Sequence, residues 1–425
     1  MNVENVLADL IRFETVNPPG NEMAVCRYLK TLFDGAGIRN EVIETAEGRG
    51  NFLAYLGEGQ KSLLYAAHTD TVSVSPDWSF GPFSGELRDG FVHGRGAQDC
   101  KGLVAAEACA MLELAKSARL KGRLVFAATA DEERGGALGM RFLAEQNPDK
   151  IRADFAINEG ADPPVNVAGT IYDFISVGEK GPGRLTVHTK GYAGHSSVPV
   201  LENNAVVKMG RVISNLAGYK AKVVLTPDVK KLIQAFAATA GFHEEITEAN
   251  IGRAIQSLPG RGMQAQFSAE TRMTVSPNMV QGGRRLNITA DACELDCDIR
   301  VMPGQDAEYI RKELTPLLGD AEIDVAQSQA ASFSPVDSPH YRLIHSTATK
   351  RIPGLTPLAS ICPGATDSRY LRLMGVPTYG IGVMARDLDP LMKASVHGRD
   401  EKIDIESLRL RMDFLVDLAR NYLGS

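Results

Sequence analysis

The segment SLLYAAHTDTV, residues 62–72, decides the fold class of this chain. It is a short apolar run that ends directly in the ionisable residues His68 and Asp70. Two other apolar runs, at 124–130 and 155–158, also end in acidic residues. Apolar runs of four to eight residues are typical of buried strands. We therefore predict three strands that each end at a chemically active side chain.

Helical patterns separate these predicted strands. Stretches near 101–117 and 136–146 favour helices, and two more helices are predicted at 2–15 and 21–36. Strands that alternate with helices indicate the α/β class, with a mostly parallel sheet flanked by helices. Such sheets carry their chemistry at the carboxyl ends of the strands.

The middle of the chain shows a different pattern. Predicted strands lie at 184–190, 270–276, 284–289 and 294–301, and predicted helices lie at 203–217, 228–239 and 304–318. After about residue 330 strand and helix alternate again, and the chain closes with a helix at 403–422. We therefore predict an α/β domain formed by 1–178 and 329–425, with a smaller α+β domain inserted at 179–328.

Composition excludes several classes of protein. The chain has 425 residues, of which 44% are hydrophobic and 23% charged, and this mix is typical of a globular protein of two or three domains. A net charge of -6 gives no reason to expect nucleic acid as a partner. Six cysteines without a CxxC pair indicate reduced thiols. With neither a signal-peptide pattern nor a membrane-length apolar run, we expect a cytoplasmic protein that does not bind membranes.

Side chains that can bind metal cluster where the predicted strands end. They occur in HTD at 68–70, DEE at 131–133, Glu159, the glycine-rich loop GRGAQDCKG at 94–102, and SVHG at 395–398. An isolated carboxylate at a loop start usually marks a solvated turn or a helix cap. Two histidines with three carboxylates can instead hold two divalent ions ~3.5–4 Å apart, with one carboxylate bridging them. The clustering favours this second interpretation.

Other catalytic motifs are missing from the sequence. There is no HExxH helix, no GxSxG elbow and no GxxxxGK[ST] loop. The glycines at 94 and 96 lack the third glycine of a dinucleotide fingerprint, because Gly102 comes too late. A nucleotide-dependent dehydrogenase is therefore not favoured.

At these residues the chain resembles the co-catalytic zinc family of aminoacylase, acetylornithine deacetylase, succinyl-diaminopimelate desuccinylase and glutamate carboxypeptidase. The resemblance runs over nearly the whole chain and rests on several motifs in the family's order. They are HTDTV at 68–72, GRGAQDCKG at 94–102, the glutamates at 132–133, Glu159, and SVHG at 395–398. It implies a zinc-peptidase-like catalytic domain with an inserted lid and dimerisation domain. It also implies two divalent metal ions, zinc in the first place, with cobalt or manganese as alternatives.

The resemblance assigns a role to each residue of these motifs. The first ion would be bound by His68, Asp99 and Glu159, and the second by Asp99, Glu133 and His397. Asp99 would bridge them, and Asp70 would fix the His68 imidazole from behind. Glu132 would be the general base for a metal-bridging water. The chain departs from many relatives at Cys100, where they carry Met or Asp. The resemblance also implies a cis peptide bond between Asp99 and Cys100.

The resemblance also extends to the inserted domain and to predicted substrate contacts. His195, in GHSS at 194–197, would steady the oxyanion across a homodimer, although a histidine that caps a turn is the alternative. The implied substrate contacts are Asn287, Arg300, Thr366 and Arg369, from the segments GG…N, DIR and GATDSR. The family's Val-Pro after the asparagine is replaced here by Ile288-Thr289. Arginine suits a planar carboxylate, and a surface ion pair is the alternative for both arginines.

The predicted function is hydrolysis of the amide bond of a small, carboxylate-bearing N-acyl amino acid, as in a deacetylase or a desuccinylase. A dipeptidase or carboxypeptidase is the close alternative, because the same attack by water cleaves a peptide bond. A non-catalytic binding protein on this scaffold is a third hypothesis, and the presence of Glu132 with all five ligands counts against it. The residues that select the acyl group are not identified by any motif, and neither is the role of 221–265.

Overall fold

The structure is a computed structural model that describes residues 2–117, 119–167, 169–327, 330–385, 392 and 395–424. Within it the chain divides into two compact units. The first unit comprises Met1–Val177, Phe333–Ser360 and Thr366–Ser425, and the second comprises Gly178–Ser332 and Ile361–Ala365.

The helices and strands of the described residues are numbered here in chain order. The helices are α1 (Val3–Arg12), α2 (Met23–Gly35), α3 (Lys101–Ser117), α4 (Met140–Gln146), α5 (Pro148–Ile151), α6 (Ala205–Gly218), α7 (Pro227–Thr239), α8 (Ile251–Ser257), α9 (Arg261–Glu270), α10 (Ala307–Leu314), α11 (Pro339–Arg351), α12 (Ser368–Leu373) and α13 (Ile405–Leu423). The strands are β1 (Arg39–Ala46), β2 (Arg49–Leu56), β3 (Ser62–His68), β4 (Glu86–Arg88), β5 (Phe91–His93), β6 (Arg123–Thr129), β7 (Phe155–Asn158), β8 (Val165–Val167), β9 (Thr170–Glu179), β10 (Gly181–Lys190), β11 (Thr274–Gly282), β12 (Ala292–Val301), β13 (Glu322–Gln327), β14 (Ser332–Phe333), β15 (Leu355–Cys362), β16 (Thr378–Ile381) and β17 (Lys402–Asp404). Single 3-10 turns lie at Glu132–Arg134, Leu201–Asn203 and Thr315–Leu317.

A ten-stranded sheet forms the frame of the first unit. Its strand order is β1-β2-β6-β3-β7-β16-β9-β14, and β8 and β15 both pair with β9. The central strands β6, β3, β7 and β16 run parallel, whereas β1, β2 and β9 pair with their neighbours in antiparallel fashion. The predicted α/β class, with a mostly parallel sheet flanked by helices, is confirmed.

The register of the central strands brings their chemically active ends together. His68 is paired with Thr129 across β3 and β6, and Tyr65 is paired with Ile157 across β3 and β7. Because these strands are parallel, the segments that follow them leave the sheet at the same edge. This edge carries His68, the 131–133 segment and Glu159.

Both faces of β3 are buried, and this explains why its sequence is a continuous apolar run. Leu63, Tyr65 and Ala67 belong to one core cluster, whereas Leu64 and Ala66 belong to another. A strand covered by helices on both faces has no position at which a polar residue is favoured. The apolar run therefore stops only where the strand ends, at His68.

The second unit is built on a four-stranded antiparallel sheet with the order β11-β12-β10-β13. Burial along β12 alternates almost strictly, and its inward residues, such as Leu295 and Ile299, pack in a core of their own. A half-buried antiparallel sheet has this pattern because one face packs on helices and the other faces solvent. β11 lies at the edge of the sheet, and residues 276–282 of it are exposed.

Of the strands predicted in the middle of the chain, one is confirmed only in part and one is wrong. The predicted strand 270–276 begins only at Thr274, because α9 continues to Glu270. The predicted strand 284–289 is a loop, in which Ile288 forms an isolated bridge with His195. Helices α8 and α9 occupy most of the segment after 250, for which no sequence motif was found. No helix within the described ranges is long and apolar enough to cross a membrane.

The close approach of α3 to the glycine-rich loop gives a test of this packing. A Cβ added at Gly102 would lie 2.2 Å from the Ala97 carbonyl oxygen, whereas a Cβ at Gly210 in α6 would meet no described heavy atom within 4 Å. Gly102→Ala should therefore lower the free energy of unfolding by about 1–3 kcal/mol, the usual cost of overpacking. Gly210→Ala should raise it by up to about 1 kcal/mol through helix propensity.

The measurement is urea unfolding of both variants, followed by circular dichroism. The two variants carry the same chemical change, so a similar shift in both would contradict the packing described around Gly102.

Candidate metal centre and active site

His68 presents one ring nitrogen to the edge of the sheet. Its Nδ1 lies 3.0 Å from the Asp70 carbonyl oxygen and 3.5 Å from the Asp70 Oδ1. Since a carbonyl oxygen only accepts, Nδ1 carries a proton, and Nε2 is the nitrogen that faces the neighbouring carboxylates of Asp99 and Glu159. Metal-binding histidines are generally oriented in this way. The fully buried imidazole is thus prepared to act as a ligand through Nε2.

The carboxylate of Asp99 lies between two histidines that are far apart in the sequence. Its Oδ1 lies 3.0 Å from His68 Nε2, and its Oδ2 lies 2.9 Å from His397 Nε2. Each half of this arrangement contains one more carboxylate. Glu159 Oε1 lies 3.4 Å from His68 Nε2, and Glu133 Oε1 lies 3.3 Å from His397 Nε2. The structure thus brings all five predicted ligands together in two groups that share Asp99.

The donor set fits divalent metal ions. Glu133 Oε1 is buried, and its 3.3 Å contact with His397 Nε2 does not have the geometry of a hydrogen bond. The imidazole of His397 has its pKa raised to about 10 by its contacts with Asp99 and Glu133. Both observations show an excess of negative charge at this place. Two imidazoles and three carboxylates are ligands suited to zinc and its neighbours, and metal charge would balance the excess.

Cys100 lies beside the first group of ligands. Its sulfur, a His68 nitrogen and a Glu159 oxygen lie within 4.8 Å of one another. The side chain is fully buried, and burial raises the pKa of the thiol well above its usual range. The Asp99–Cys100 peptide bond is cis, as the resemblance implies.

Asp70 does more than lie behind His68. Its Oδ1 accepts from the Glu132 backbone N–H at 3.0 Å, and its Oδ2 accepts from that of Glu133 at 3.2 Å. One carboxylate therefore fixes both the histidine and the backbone of the paired glutamates. Charge-assisted hydrogen bonds of this kind are stronger than neutral ones.

Asn17 was not recognised from the sequence as part of this site. Its Nδ2 donates to Asp70 Oδ2 at 2.8 Å and to Asp131 Oδ1 at 3.0 Å. The backbone of Asp131 is held in the left-handed region at φ 70°, and Arg49 pairs with its carboxylate at 3.2 Å. In the sequence, residues 16–20 only separate two predicted helices, and no local pattern relates Asn17 to the segments that follow β3 and β6.

Glu132 lies in an environment that suits a general base. Burial, and then the neighbouring charge of Glu159, raise the pKa of its carboxyl well above the usual range. Asp367 lies close enough to contribute, and burial raises its own pKa to about 7. A carboxyl that is to exchange protons near neutral pH needs a shift in this direction.

Thr366 and Arg369 belong to the same unit as the ligands. The methyl group of Thr366 lies 3.2 Å from the position of a Cβ at Gly160, directly after Glu159. The guanidinium of Arg369 stacks over the Tyr370 ring at 4.7 Å, and its Nη2 lies 3.9 Å from a Cβ position at Gly135. Both predicted contacts therefore lie beside the loops that carry the ligands.

Comparison with known proteins now identifies the family. Residues 64–421 match the model of peptidase family M20/M25/M40. The chain belongs to this family. It is therefore a hydrolase of the metallopeptidase and amidohydrolase kind, as the sequence predicted.

The relatives of this M20 chain include both deacylases and peptidases. A protein of Staphylococcus aureus (strain MRSA252) named probable succinyl-diaminopimelate desuccinylase is 26% identical over 427 residues, covering 98% of this chain and 97% of that protein. The M20 family metallo-carboxypeptidase Sso-CP2 from Sulfolobus solfataricus has the same fold, with a TM-score of 0.76 at 20% identity over 100% of both chains. A dinuclear metal-binding M20 peptidase from Bacillus subtilis matches with a TM-score of 0.65 at 15% identity, covering 99% of this chain and 98% of that one.

The remaining predicted site residues of this M20 chain lie in its second unit. The His195 and Asn287 loops are neighbours there, because the Ser196 N–H donates to the Asn287 carbonyl oxygen at 3.3 Å. Arg300 lies on β12, and its Nε donates to Asp298 Oδ2 at 3.0 Å. The ion pair considered as the alternative for Arg300 is therefore present.

The two neighbouring glutamates should respond differently to the loss of charge. Glu133→Gln should weaken binding of the ion shared with His397, because an amide oxygen is a poorer ligand than a carboxylate. Glu132→Gln should keep both ions and lower turnover by ~10²–10⁴-fold, the scale of general acid–base catalysis. Calorimetric titration of metal into the apoprotein checks the binding.

The exposed Glu145, which pairs with Arg141, supplies a control. Glu145→Gln should change neither metal binding nor turnover. If Glu132→Gln lost an ion while Glu133→Gln kept both and stayed active, the two roles would be reversed.

Proposed function

We propose that this M20 hydrolase cleaves the amide bond of a small N-acyl amino acid that carries a carboxylate. The observation that supports this most strongly is the shared Asp99, whose two oxygens face His68 and His397. A bridging carboxylate between two sets of ligands is the arrangement of two-metal hydrolases. The likeness to a protein named as a desuccinylase favours a deacylase over a peptidase.

Two divalent ions, when bound, supply Lewis acidity toward the substrate carbonyl and lower the pKa of a water molecule. Zinc suits the nitrogen and oxygen donors, and cobalt or manganese could replace it. The protein supplies the proton transfer. Glu132 takes the proton of the attacking water and returns it to the leaving nitrogen.

Asp70 keeps Glu132 at the place where this transfer is needed. Its bond to the Glu132 N–H fixes the start of the 3-10 turn that carries the base. Its second oxygen does the same for Glu133, a metal ligand. A single carboxylate therefore couples the position of the base to the position of the metal centre.

Arginine and small polar side chains suit the carboxylate of such a substrate. Arg369 and Thr366 are the contacts proposed in the catalytic unit, and Arg300 and Asn287 are those proposed in the second unit. A planar guanidinium can bind a carboxylate through two parallel hydrogen bonds. Arg369 is already oriented by stacking on Tyr370, which reduces the entropy lost on binding.

A dipeptidase or carboxypeptidase is the second candidate. The structure most similar in fold among those compared above is a carboxypeptidase, although 20% identity transfers the fold alone. Cleavage of a peptide bond would use the same ligands and the same base. The two candidates differ only in what binds on either side of the scissile amide.

We also propose that residues 179–328 form a lid and dimerisation domain. The exposed edge strand β11 can pair with a second chain, and it carries the exposed apolar side chains of Met279 and Val280. An unpaired apolar edge of this kind generally has a partner in solution. The proposed assembly is a homodimer.

The proposed role of His195 is to donate a hydrogen bond to the oxyanion. Its Nδ1 accepts from the Ser197 backbone N–H at 3.2 Å, so the ring proton lies on Nε2. The side chain is exposed within its own unit, and it is held by a turn rather than by packing. An exposed imidazole that donates through Nε2 is suited to stabilise an oxyanion by a hydrogen bond.

The substrate class is tested by release of free amine from a panel of N-succinyl and N-acetyl amino acids and of dipeptides. The zinc-loaded enzyme should hydrolyse the N-acyl amino acids with the higher kcat/KM, and chelation followed by dialysis should abolish the activity. Higher kcat/KM on dipeptides would select the second candidate. Full activity of metal-stripped enzyme would exclude both.

His195→Ala removes this donor and should lower kcat by ~10²–10³-fold, which is the usual effect of losing one oxyanion donor. The metal content should not change. His243→Ala, at an exposed histidine of the same unit, should change neither quantity. If the site is shared between subunits, mixing His195→Ala with Glu132→Gln enzyme should restore activity, because each mixed dimer has one intact site. Confirmed subunit exchange without activity would show that His195 does not act across the dimer.

A further inference from the structure

A buried carboxylate that is not among the predicted ligands lies directly behind the bridging aspartate. Glu401 is fully buried, and its Oε1 accepts from the backbone N–H groups of Gln98 at 2.8 Å and Asp99 at 3.1 Å. Its Oε2 accepts from the Gly96 N–H at 2.9 Å and from Arg95 Nη1 at 2.8 Å. The glycine-rich loop is thus folded around a single carboxylate.

These contacts act on the ligand itself. The side chain of Asp99 faces both histidines. The hydrogen bond to its backbone N–H fixes the Asp99 backbone, and the backbone sets the position of the Asp99 carboxylate. Successive backbone N–H groups that converge on one anion form a nest, and the anion fixes their conformation. Removal of the anion would leave buried donors without acceptors, which is unfavourable for each group.

The same cluster joins the Asp99 loop to the His397 segment. Arg95 Nη2 donates to the Gly398 carbonyl oxygen at 2.6 Å, and the Gly94 N–H donates to the Glu401 carbonyl oxygen at 2.8 Å. Gln98 Nε2 adds a bond to Ser395 Oγ at 3.1 Å. His397 lies between these attachment points and has a left-handed backbone with φ 56°.

The electrostatic surroundings of Glu401 are mixed. Burial, and then the negative charge of Asp99, raise the pKa of its carboxyl, and the Gln98 and Gly96 N–H groups and the Arg95 guanidinium offset only part of this shift. All four hydrogen bonds at Oε1 and Oε2 are donated to Glu401. The geometry therefore suits the ionised carboxylate, which accepts only.

We propose that Glu401 is a positioning residue that fixes Asp99 relative to His397 and so sets the affinity of the ion they share. The proposal rests on the two-metal function proposed above. It assigns a role to a residue that neither binds metal nor touches substrate. Loss of an outer partner that orients a ligand typically weakens metal binding by about 10–100-fold.

The test compares Glu401→Gln with Glu4→Gln by calorimetric titration of zinc into the full-length apoprotein. The amide keeps the size of the side chain, but its NH₂ group faces backbone donors and cannot accept from them. We expect the ion shared with His397 to bind about 10–100-fold more weakly, and the ion at His68 to be weakened less, because Glu401 joins Asp99 to the His397 segment. Glu4 pairs with Arg409 away from the ligands, so Glu4→Gln should bind both ions as the parent does.

A spectroscopic measurement separates positioning from simple stability. The visible d–d bands of the cobalt-loaded Glu401→Gln protein should change, because the ligands of one ion have moved. The bands of Glu4→Gln should not. Parent affinities and parent bands in Glu401→Gln would overturn the proposal, even if the variant unfolded at a lower temperature.

A second variant covers the case in which Glu401→Gln does not fold. Arg95→Lys keeps a cation beside Glu401 but loses the fork that also holds the Gly398 carbonyl oxygen. It should weaken the same ion and alter the same cobalt bands, and parent-like results would overturn the proposal. A parent enzyme that binds fewer than two ions would instead show that the two-metal function itself is wrong.

Discussion

The carboxylate of Asp99 is the constraint on which the rest of the catalytic unit depends. Its two oxygens must face two histidines at the same time, one at the end of β3 and the other in the segment before β17. A side chain with this task allows little error in its own position, because two-metal centres need ions ~3.5–4 Å apart. The parallel sheet provides His68 and Glu159 at one edge. The loop at 94–102 and the segment at 395–401 must then be brought to that edge.

Many buried acids lie at this edge of the sheet. They need hydrogen-bond donors in addition to the candidate metal ligands. Asp70 accepts from two backbone N–H groups, and Glu401 accepts from three backbone N–H groups and a guanidinium. Buried carboxylates are tolerated when donors converge on them in this way. The left-handed backbones of Asp131 and His397 show that local conformational cost is accepted here as well, and such strain is typical of functional sites.

The two units contribute in different ways. The first holds the five candidate ligands, the candidate base and the buried partners that orient them, and these side chains fix one another through several contacts each. In the second, His195 and the Asn287 loop are exposed and are held by turns. Precise placement suits a metal centre, whereas an exposed donor on a loop suits a step that follows substrate binding.

The sequence by itself indicated the central strands β3, β6 and β7, because short apolar runs that alternate with helical patterns favour buried strands. It also indicated His68 and Glu159, which follow such runs directly, and family motifs added Asp99, Glu133 and His397. It failed at 284–289, where the strand gave way to a loop, and at 270, where a helix continued. It could not find Asn17 or Glu401, because each acts by a hydrogen bond to a residue distant in the chain, and such a bond leaves no periodic pattern. Only the tertiary structure decided which carboxylates lie beside the two histidines as candidate ligands, and which accept hydrogen bonds from the backbone of those ligands.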